Sequence, residues 1–559
     1  MNGGNRRHLF EMGEGEVVHE VLARAVEEDR EALLVSFTSG EGVEIEHHSR
    51  GEIWDASLKL AAHLSESGVG IEDRVAFLIG NRVELVVAWF ACSMVGAIAV
   101  PLNTALKGTI LDHELRLTMP RAIFVETTFL AGAQGSVAAA ESIAEVILIA
   151  AAEPAPDGGF GPDQRVLSYG ECFGHEPLAE LAPVTRAHTS TIIFTSGTTG
   201  RSKGVQVTHA MTMSEADAAR WVMGYERDDV AHTCLPLYHG NALLTSFFAA
   251  LRTGARTVVA DRFSASNFWQ QAARTEATTT NMLGSMSTIL WRSAPSEWER
   301  RHRLRLGMVI PSPLEYYEEF KERFGMGLTE LYGLTDSQIP LGVPFGESRP
   351  GSCGMPTPDW ECDVFGPDDE PLRPGEVGEL VTRPRRPFVG FVGYWGNVEA
   401  SWGCVRNQWF HTGDLVYRDE DGWYFFVDRM KDAIRRRGEN VSSFEVEEVL
   451  LGHPEVREAA VYAVKAEEDM LEDEVMASMM LRGGSEDAAA IGAEILAYCD
   501  DRLPYFAVPR YYRVVVQFER TENHKVRKAA LREEGITADA WDAGERGLKA
   551  ISKAREARA

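Results

Sequence analysis

A chain of 559 residues exceeds what one hydrophobic core organises, so two or more domains are expected. Apolar residues make up 45% and charged residues 25%, the balance of a soluble globular enzyme, and no run of about 18 apolar residues offers a membrane span. A formal charge of −28 disfavours nucleic acid and anionic membranes as partners, and seven scattered cysteines without a C-x-x-C pair argue against zinc and against a disulfide framework. Met1 to Gly15 holds charges but no apolar stretch, so no secretory signal is read there and a cytoplasmic location is expected.

In chain order, Arg74–Ile79 reads as a buried strand ended by Gly80-Asn81. Residues 82–95 read as a helix, and Ile98–Val100 as a strand closed by Pro101. The rhythm returns around Ala122–Val125 and Val146–Ala150. It predicts an α/β fold, with parallel-rich sheets flanked by helices on both faces. Ala151–Pro162, rich in Ala, Pro and Gly, reads as a surface loop, and no internal repeat is visible.

Directly after Ile192-Ile193-Phe194 comes Thr195-Ser196-Gly197-Thr198-Thr199-Gly200-Arg201-Ser202-Lys203-Gly204. Five hydroxyls, three glycines, an arginine and a lysine fall within ten residues. Glycines let backbone N–H groups close around an anion, hydroxyls add donors, and cations offset the charge. A polyphosphate grip is predicted. It is not a Walker A loop, because the residue five after Gly197 is Ser202 and Lys203 precedes a glycine.

Further motifs follow in order: Tyr332-Gly333-Leu334-Thr335-Asp336, Trp409-Phe410-His411-Thr412-Gly413-Asp414, Asp428-Arg429-Met430-Lys431-Asp432, Arg437-Gly438-Glu439-Asn440-Val441 and Asn523-His524-Lys525-Val526. Between and after them, Trp423–Val427, Val456–Val464, Glu474–Leu481 and Tyr511–Val516 read as strands and Asp487–Arg502 as a helix, a compact α+β module. The tail Ala538–Ala559, rich in Ala, Arg and Lys, reads as an exposed helix. Arg435-Arg436-Arg437 is the densest basic cluster available to a polyanion.

Over roughly residues 20 to 535 this ordered set resembles the AMP-forming adenylate superfamily of acyl- and aryl-CoA ligases, adenylation domains and luciferases. It looks nearest to the carnitine-CoA-ligase-like acyl-CoA ligases. The resemblance implies a large N-terminal adenylation domain, 1–428, and a small mobile C-terminal α+β domain, 429–559, hinged near Lys431, with the active site between them. It also implies that Thr195, Ser196, Gly197, Thr198, Thr199, Gly200 and Lys203 grip the β- and γ-phosphates of ATP. Thr335 would touch the α-phosphate and Asp336 would hold Mg²⁺, although most relatives carry Glu at that position. Tyr332 would lie against adenine, Asp414 would accept the ribose hydroxyls, and Arg429 would pair with ribose or phosphate.

By the same resemblance Lys525 bridges the substrate carboxylate and the α-phosphate during adenylation, with His524 where relatives have glycine. Gly438 and Glu439 would line the path of the CoA thiol, and Arg435 would assist thioester formation. His239, in Pro236-Leu237-Tyr238-His239-Gly240-Asn241, would gate the carboxylate pocket. That pocket would be lined near Asn241, Met282–Ser285, Met308, Leu331 and Ser337, a mixed surface that suits a medium or aryl acid. The adenine-side loop is the departure Ile310-Pro311-Ser312-Pro313. The implied activity is ATP-dependent formation of an acyl-adenylate with release of pyrophosphate, then transfer to CoA. Alternative readings keep adenylation but change the chemistry: a carrier-protein thiol or an amine as acceptor, or nitrite as the activated anion. A third is a catalytically silent nucleotide-binding module. Expected partners are a carboxylic acid, ATP and CoA or a carrier protein, with self-association into a homodimer left open.

Overall fold

The computed structural model describes residues 16–39, 45–150, 159–195, 201–429, 433–437, 439–465, 473–482, 488–519 and 526–544. The chain divides into two compact units. The first comprises Met1–Thr104, Leu115–Phe194 and Gly204–Met430; the second comprises Ala105–Glu114, Thr195–Lys203 and Lys431–Ala559.

In the first unit the buried apolar runs form two seven-stranded sheets. One runs Arg165–Ser168, Glu145–Ile149, Ala122–Glu126, Arg74–Leu78, Ile98–Pro101, Thr189–Thr195, Lys203–Thr208. The other runs Gly327–Thr329, Leu306–Ile310, Thr279–Leu283, Val230–Thr233, Arg256–Ala260, Leu33–Thr38, Ile45–Ser49. In each, five strands consecutive in the chain are wound in the same order: the second lies to one side of the first, the third to the other, and the fourth and fifth continue outward. The pairs within these windings are parallel. The expected β-α-β rhythm is therefore present, and it occurs twice. Sequence comparison within the chain shows no repeat because the duplication lies in the winding and not in the residues.

The helix Val83–Val95 is apolar on all sides and ends on Gly96 at φ +76°, the left-handed conformation that glycine accepts without strain. Its Trp89 lies edge-on to Phe248 at 5.4 Å and donates its indole N–H to Thr191 at 3.1 Å. It thus joins both sheets in one continuous core. No helix among the described residues is long and apolar enough to cross a membrane.

Antiparallel strands complete this unit. Leu331–Leu334, Gln338–Gly342 and Met355–Pro356 form one sheet. Trp360–Phe365, Gly378–Pro384, Trp409–Arg418, Val405–Arg406 and Tyr424–Arg429 form another. Tyr332, Leu341, Cys353, Val364, Leu380, Val416 and Tyr424 pack between them.

In the second unit Ala433–Arg436 pairs with Glu439–Ser442. A four-stranded sheet follows in the order Val456–Val464, Glu474–Leu481, Tyr511–Val514, Trp541–Asp542, accompanied by the helices Ser443–Leu451, Ala488–Arg502 and Lys528–Glu534. The tail corrects the sequence reading. It begins as the edge strand Trp541–Asp542 and not as a helix, because Trp541 packs on Tyr512 at 5.7 Å and closely over Gly492. Aromatic burial on a sheet edge overrides the helical preference of the surrounding alanines. Residues 545–559 lie outside the described residues, as do 151–158 of the expected surface loop.

Gly354 fixes the approach of the two antiparallel sheets. Its φ is +98°, and a β-carbon there would lie 2.0 Å from the Gly342 carbonyl carbon. Gly354→Ala is expected to destabilise the protein by about 3 kcal/mol, through strain and overpacking together. Urea denaturation measures it, and a loss below about 0.5 kcal/mol would contradict the packing described.

Candidate functional site

In an open parallel sheet the crevice lies where connections leave two neighbouring strands in opposite directions, at their carboxyl ends. In the second winding those strands are Val230–Thr233 and Thr279–Leu283. The segment leaving the first contains His239 and Asn241, and the segment leaving the second contains Gly284 and Ser285. Asn281 Nδ2 donates to Asn241 Oδ1 at 2.6 Å, so the two walls meet here. Tyr238, His239, Gly240 and Asn241 are half-buried, and the His239 ring leans on Tyr238 at 4.7 Å. Met282 and Met308, from neighbouring strands, are buried below them.

The sequence reading missed the residue that sets this wall. Asn81 follows the first strand of the other winding and was legible only as a strand terminator. Its Nδ2 donates to Leu235 O at 3.0 Å and Ala260 O at 2.7 Å, while its Oδ1 accepts from Leu237 N at 2.8 Å. Three backbone groups of the His239 segment and its neighbouring strand are thereby fixed from the opposite sheet. A second missed residue, Glu215 on the helix His209–Met223, accepts from Thr245 Oγ1 at 3.1 Å. Burial pushes its carboxyl up to about 7.

The Tyr332 motif forms a hairpin. Leu334 faces Gln338 after a bulge in the register, so Thr335, Asp336 and Ser337 occupy the turn. Gln338 Nε2 donates to Thr335 O at 3.2 Å, and Ser337 is fully buried with its hydroxyl unpaired among the described residues. Burial first, then the charge of Asp336, drive the Tyr394 phenol well above its ordinary range, so it stays protonated beside that carboxylate. Tyr332 Oη donates to Asp414 Oδ2 at 2.6 Å, which joins two motifs 82 residues apart. Arg429 stands opposite Asp414 in the strand register. The turn before Asp414 is braced by Glu379, which accepts from Gly413 N at 2.9 Å and pairs with His411 Nδ1 at 2.8 Å. In the Ile310–Pro313 loop Ser312 Oγ donates to Val309 O at 3.4 Å, and burial raises the nearby Glu330 carboxyl to about 7.

Thr195 closes its strand and Lys203 opens the next, both half-buried. Ser196, Gly197, Thr198, Thr199 and Gly200 lie outside the described residues, as do Lys431, Gly438, His524 and Lys525. In the second unit Ser202 N donates to Glu445 Oε1 at 2.7 Å and Arg201 pairs with Glu448 at 2.5 Å. The basic cluster divides. Arg435 is half-buried with its N–H on Asp473 at 3.2 Å, and Arg437 takes φ +55°. Arg436 is buried, paired with Glu474 at 2.7 Å and donating to Val508 O at 2.7 Å, so it is structural and not available to a ligand. Glu439 faces Arg436 across the two-stranded ribbon.

The doubly wound α/β unit thus gathers polar side chains at the carboxyl ends of its strands, the setting in which such folds take small ligands. The chain belongs to the AMP-binding enzyme family: that family's model matches residues 22–395, and the model of the AMP-binding enzyme C-terminal domain matches 445–525. A crotonobetaine/carnitine–CoA ligase from Salmonella arizonae is 29% identical over 517 residues, covering 90% of this chain and 96% of the relative. The Shigella flexneri enzyme of the same name is 30% identical over 474 residues, covering 83% and 89%. Among solved structures, o-succinylbenzoate CoA synthetase from Bacillus subtilis superposes with a TM-score of 0.77 at 24% identity, covering 93% of this chain and 99% of that one. ATP-bound MatB from Rhodopseudomonas palustris gives 0.65 at 25% identity, covering 92% and 98%.

Two outcomes are expected. Asn81→Ala should lower kcat/KM for the acid by about 10- to 100-fold in a pyrophosphate-release assay, more than it raises KM for ATP, because the His239 wall loses its anchor; an effect confined to ATP would refute this. The raised Glu215 carboxyl makes the folded state hold a proton that the unfolded chain has released. Its stabilisation is present below the ordinary value of 4.5 and is lost as pH rises to about 7. Glu215→Gln should therefore gain about 2 to 3 kcal/mol relative to wild type between pH 5 and pH 8, read by denaturation at each pH.

Proposed function

We propose that this protein is an ATP-dependent, AMP-forming acid–CoA ligase with a medium-sized or aryl acid as substrate. The Tyr332–Asp414 hydrogen bond carries the reading, since it places an aromatic face and a buried carboxylate together beside the Thr335-Asp336 turn. Asp414 accepts the ribose hydroxyls, Tyr332 lies along the base, and Thr335 donates to the α-phosphate. The acid binds beside the Asn241–Asn281 contact with its carboxylate toward the nucleotide, gated by His239. One carboxylate oxygen attacks the α-phosphorus, the bond to the pyrophosphate oxygen breaks, and Lys525 offsets the charge shared by the two anions. The thiol of CoA then attacks the acyl carbon and AMP leaves, in a step assigned to Arg435, Gly438 and Glu439. The relatives named for CoA ligation support CoA as the acceptor.

Among the described residues no group of three or more His, Cys, Asp or Glu side chains is placed to hold a metal. A magnesium ion held by one carboxylate, substrate phosphates and water requires no such group, and Asp336 supplies the hard oxygen donor. When bound, the ion neutralises phosphate charge.

The test separates the two half-reactions. Lys525→Ala is expected to lower adenylate formation by about 100-fold or more while sparing thioester formation from supplied acyl-adenylate. Gly438→Leu should do the reverse, by blocking the thiol path. Equal loss of both steps in both variants sinks the assignment. Pyrophosphate turnover undiminished without CoA would move the acceptor to a carrier thiol, an amine or another nucleophile.

A further inference from the structure

One carboxylate in the first unit has no part in the chemistry above. Glu215 lies in the middle of the helix His209–Met223 with 8% of its surface exposed, and its one side-chain hydrogen bond among the described residues comes from Thr245. Thr245 belongs to the π-helix Asn241–Phe248, a widened turn that begins immediately after His239 and Gly240. Such turns recur at functional sites because they re-aim side chains.

The local geometry directs Glu215 at the crevice. A β-carbon on Gly240 would lie 3.5 Å from Glu215 Oε1 and 3.8 Å from Ile193 Cδ1. Glycine at that position leaves no side chain between the carboxylate and the half-buried His239-Gly240-Asn241 segment. The neighbouring cations are committed elsewhere: Arg220 and Arg252 both pair with Asp217, at 3.0 and 3.1 Å. Among the described residues no ion pair reaches Glu215. A buried carboxylate without a cation is costly to maintain, and a glutamine would satisfy Thr245 equally well by shape.

Resting on the ligase reading, we propose that Glu215 is a specificity residue that accepts N–H hydrogen bonds from an ammonium group, so that the acid activated is an amino acid in the broad sense: a carboxylic acid bearing a protonated amine. Thr245 occupies Oε1 from one side and the rest of the carboxylate remains an acceptor. The positive charge also restores the ionised state that burial of Glu215 opposes.

The experiment compares amine-bearing acids with isosteres in which methyl replaces ammonium: β-alanine with butanoate, γ-aminobutyrate with pentanoate, ε-aminocaproate with heptanoate, and p-aminomethylbenzoate with p-ethylbenzoate. Pyrophosphate release with Mg-ATP and CoA is measured for wild type and for Glu215→Gln. At least one amine is expected to exceed its isostere tenfold or more in kcat/KM. In Glu215→Gln that ratio should fall by about 10- to 100-fold, the weight of a hydrogen-bonded charge. Preference for the isostere in every pair overturns the proposal while leaving the ligase reading standing, and the wild-type ratios decide this even if the variant does not fold. A folded Glu215→Gln with an unchanged ratio overturns it as well. Absence of pyrophosphate release from every acid, amine or neutral, strikes the ligase reading itself and this inference with it.

Discussion

The arrangement depends on one side chain bridging two sheets. Asn81 is short, cannot ionise, and offers an acceptor and two donors from one amide. It directs two of them to a segment that has no regular structure of its own, between Thr233 and Gly240, and the third to the end of the strand Arg256–Ala260. A loop of this kind is held only where its peptide groups find partners. Because Asn81 rides on the end of Arg74–Leu78, the position of the His239 wall is inherited from the other winding, whose Gly80 is fastened in turn to Glu126 at 3.1 Å. Aspartate would lose the donors and leucine would leave three buried peptide groups unsatisfied.

The negative character of the molecule carries into its interior. Asp336, Asp414, Glu215 and Glu330 are buried or nearly so. Each is offset differently. Asp414 accepts from a phenol hydroxyl, Asp336 stands beside a phenol that burial keeps protonated, Glu215 accepts from a threonine hydroxyl, and Glu330 is pushed toward its neutral form by burial. Glu215 makes no ion pair among the described residues, so its carboxylate can take a polar partner from outside.

Much of the fold was legible beforehand. Apolar runs such as Val75–Leu78 and Val146–Ile149 are buried on both faces, and a continuous hydrophobic stretch is the direct mark of that state. The site motifs were legible because dense clusters of Gly, Thr and charged residues have few structural uses. What escaped was non-local. Asn81 has the appearance of any residue ending a strand, and Glu215 that of any polar residue in a helix. Their meaning resides in partners more than 150 and 30 residues away. The tail was misread for the same reason, since Trp541 takes its conformation from Tyr512 and Gly492 and not from its alanine-rich neighbours.

The order of the second large sheet also bears on how the chain is made. Leu33–Thr38 leaves the ribosome well before its parallel partner Arg256–Ala260, with Val35 opposite Thr257. At ~5–20 residues per second, that strand waits roughly ten to forty seconds with an apolar edge uncovered. That interval is set by the order of the strands along the chain and not by the stability of the finished sheet.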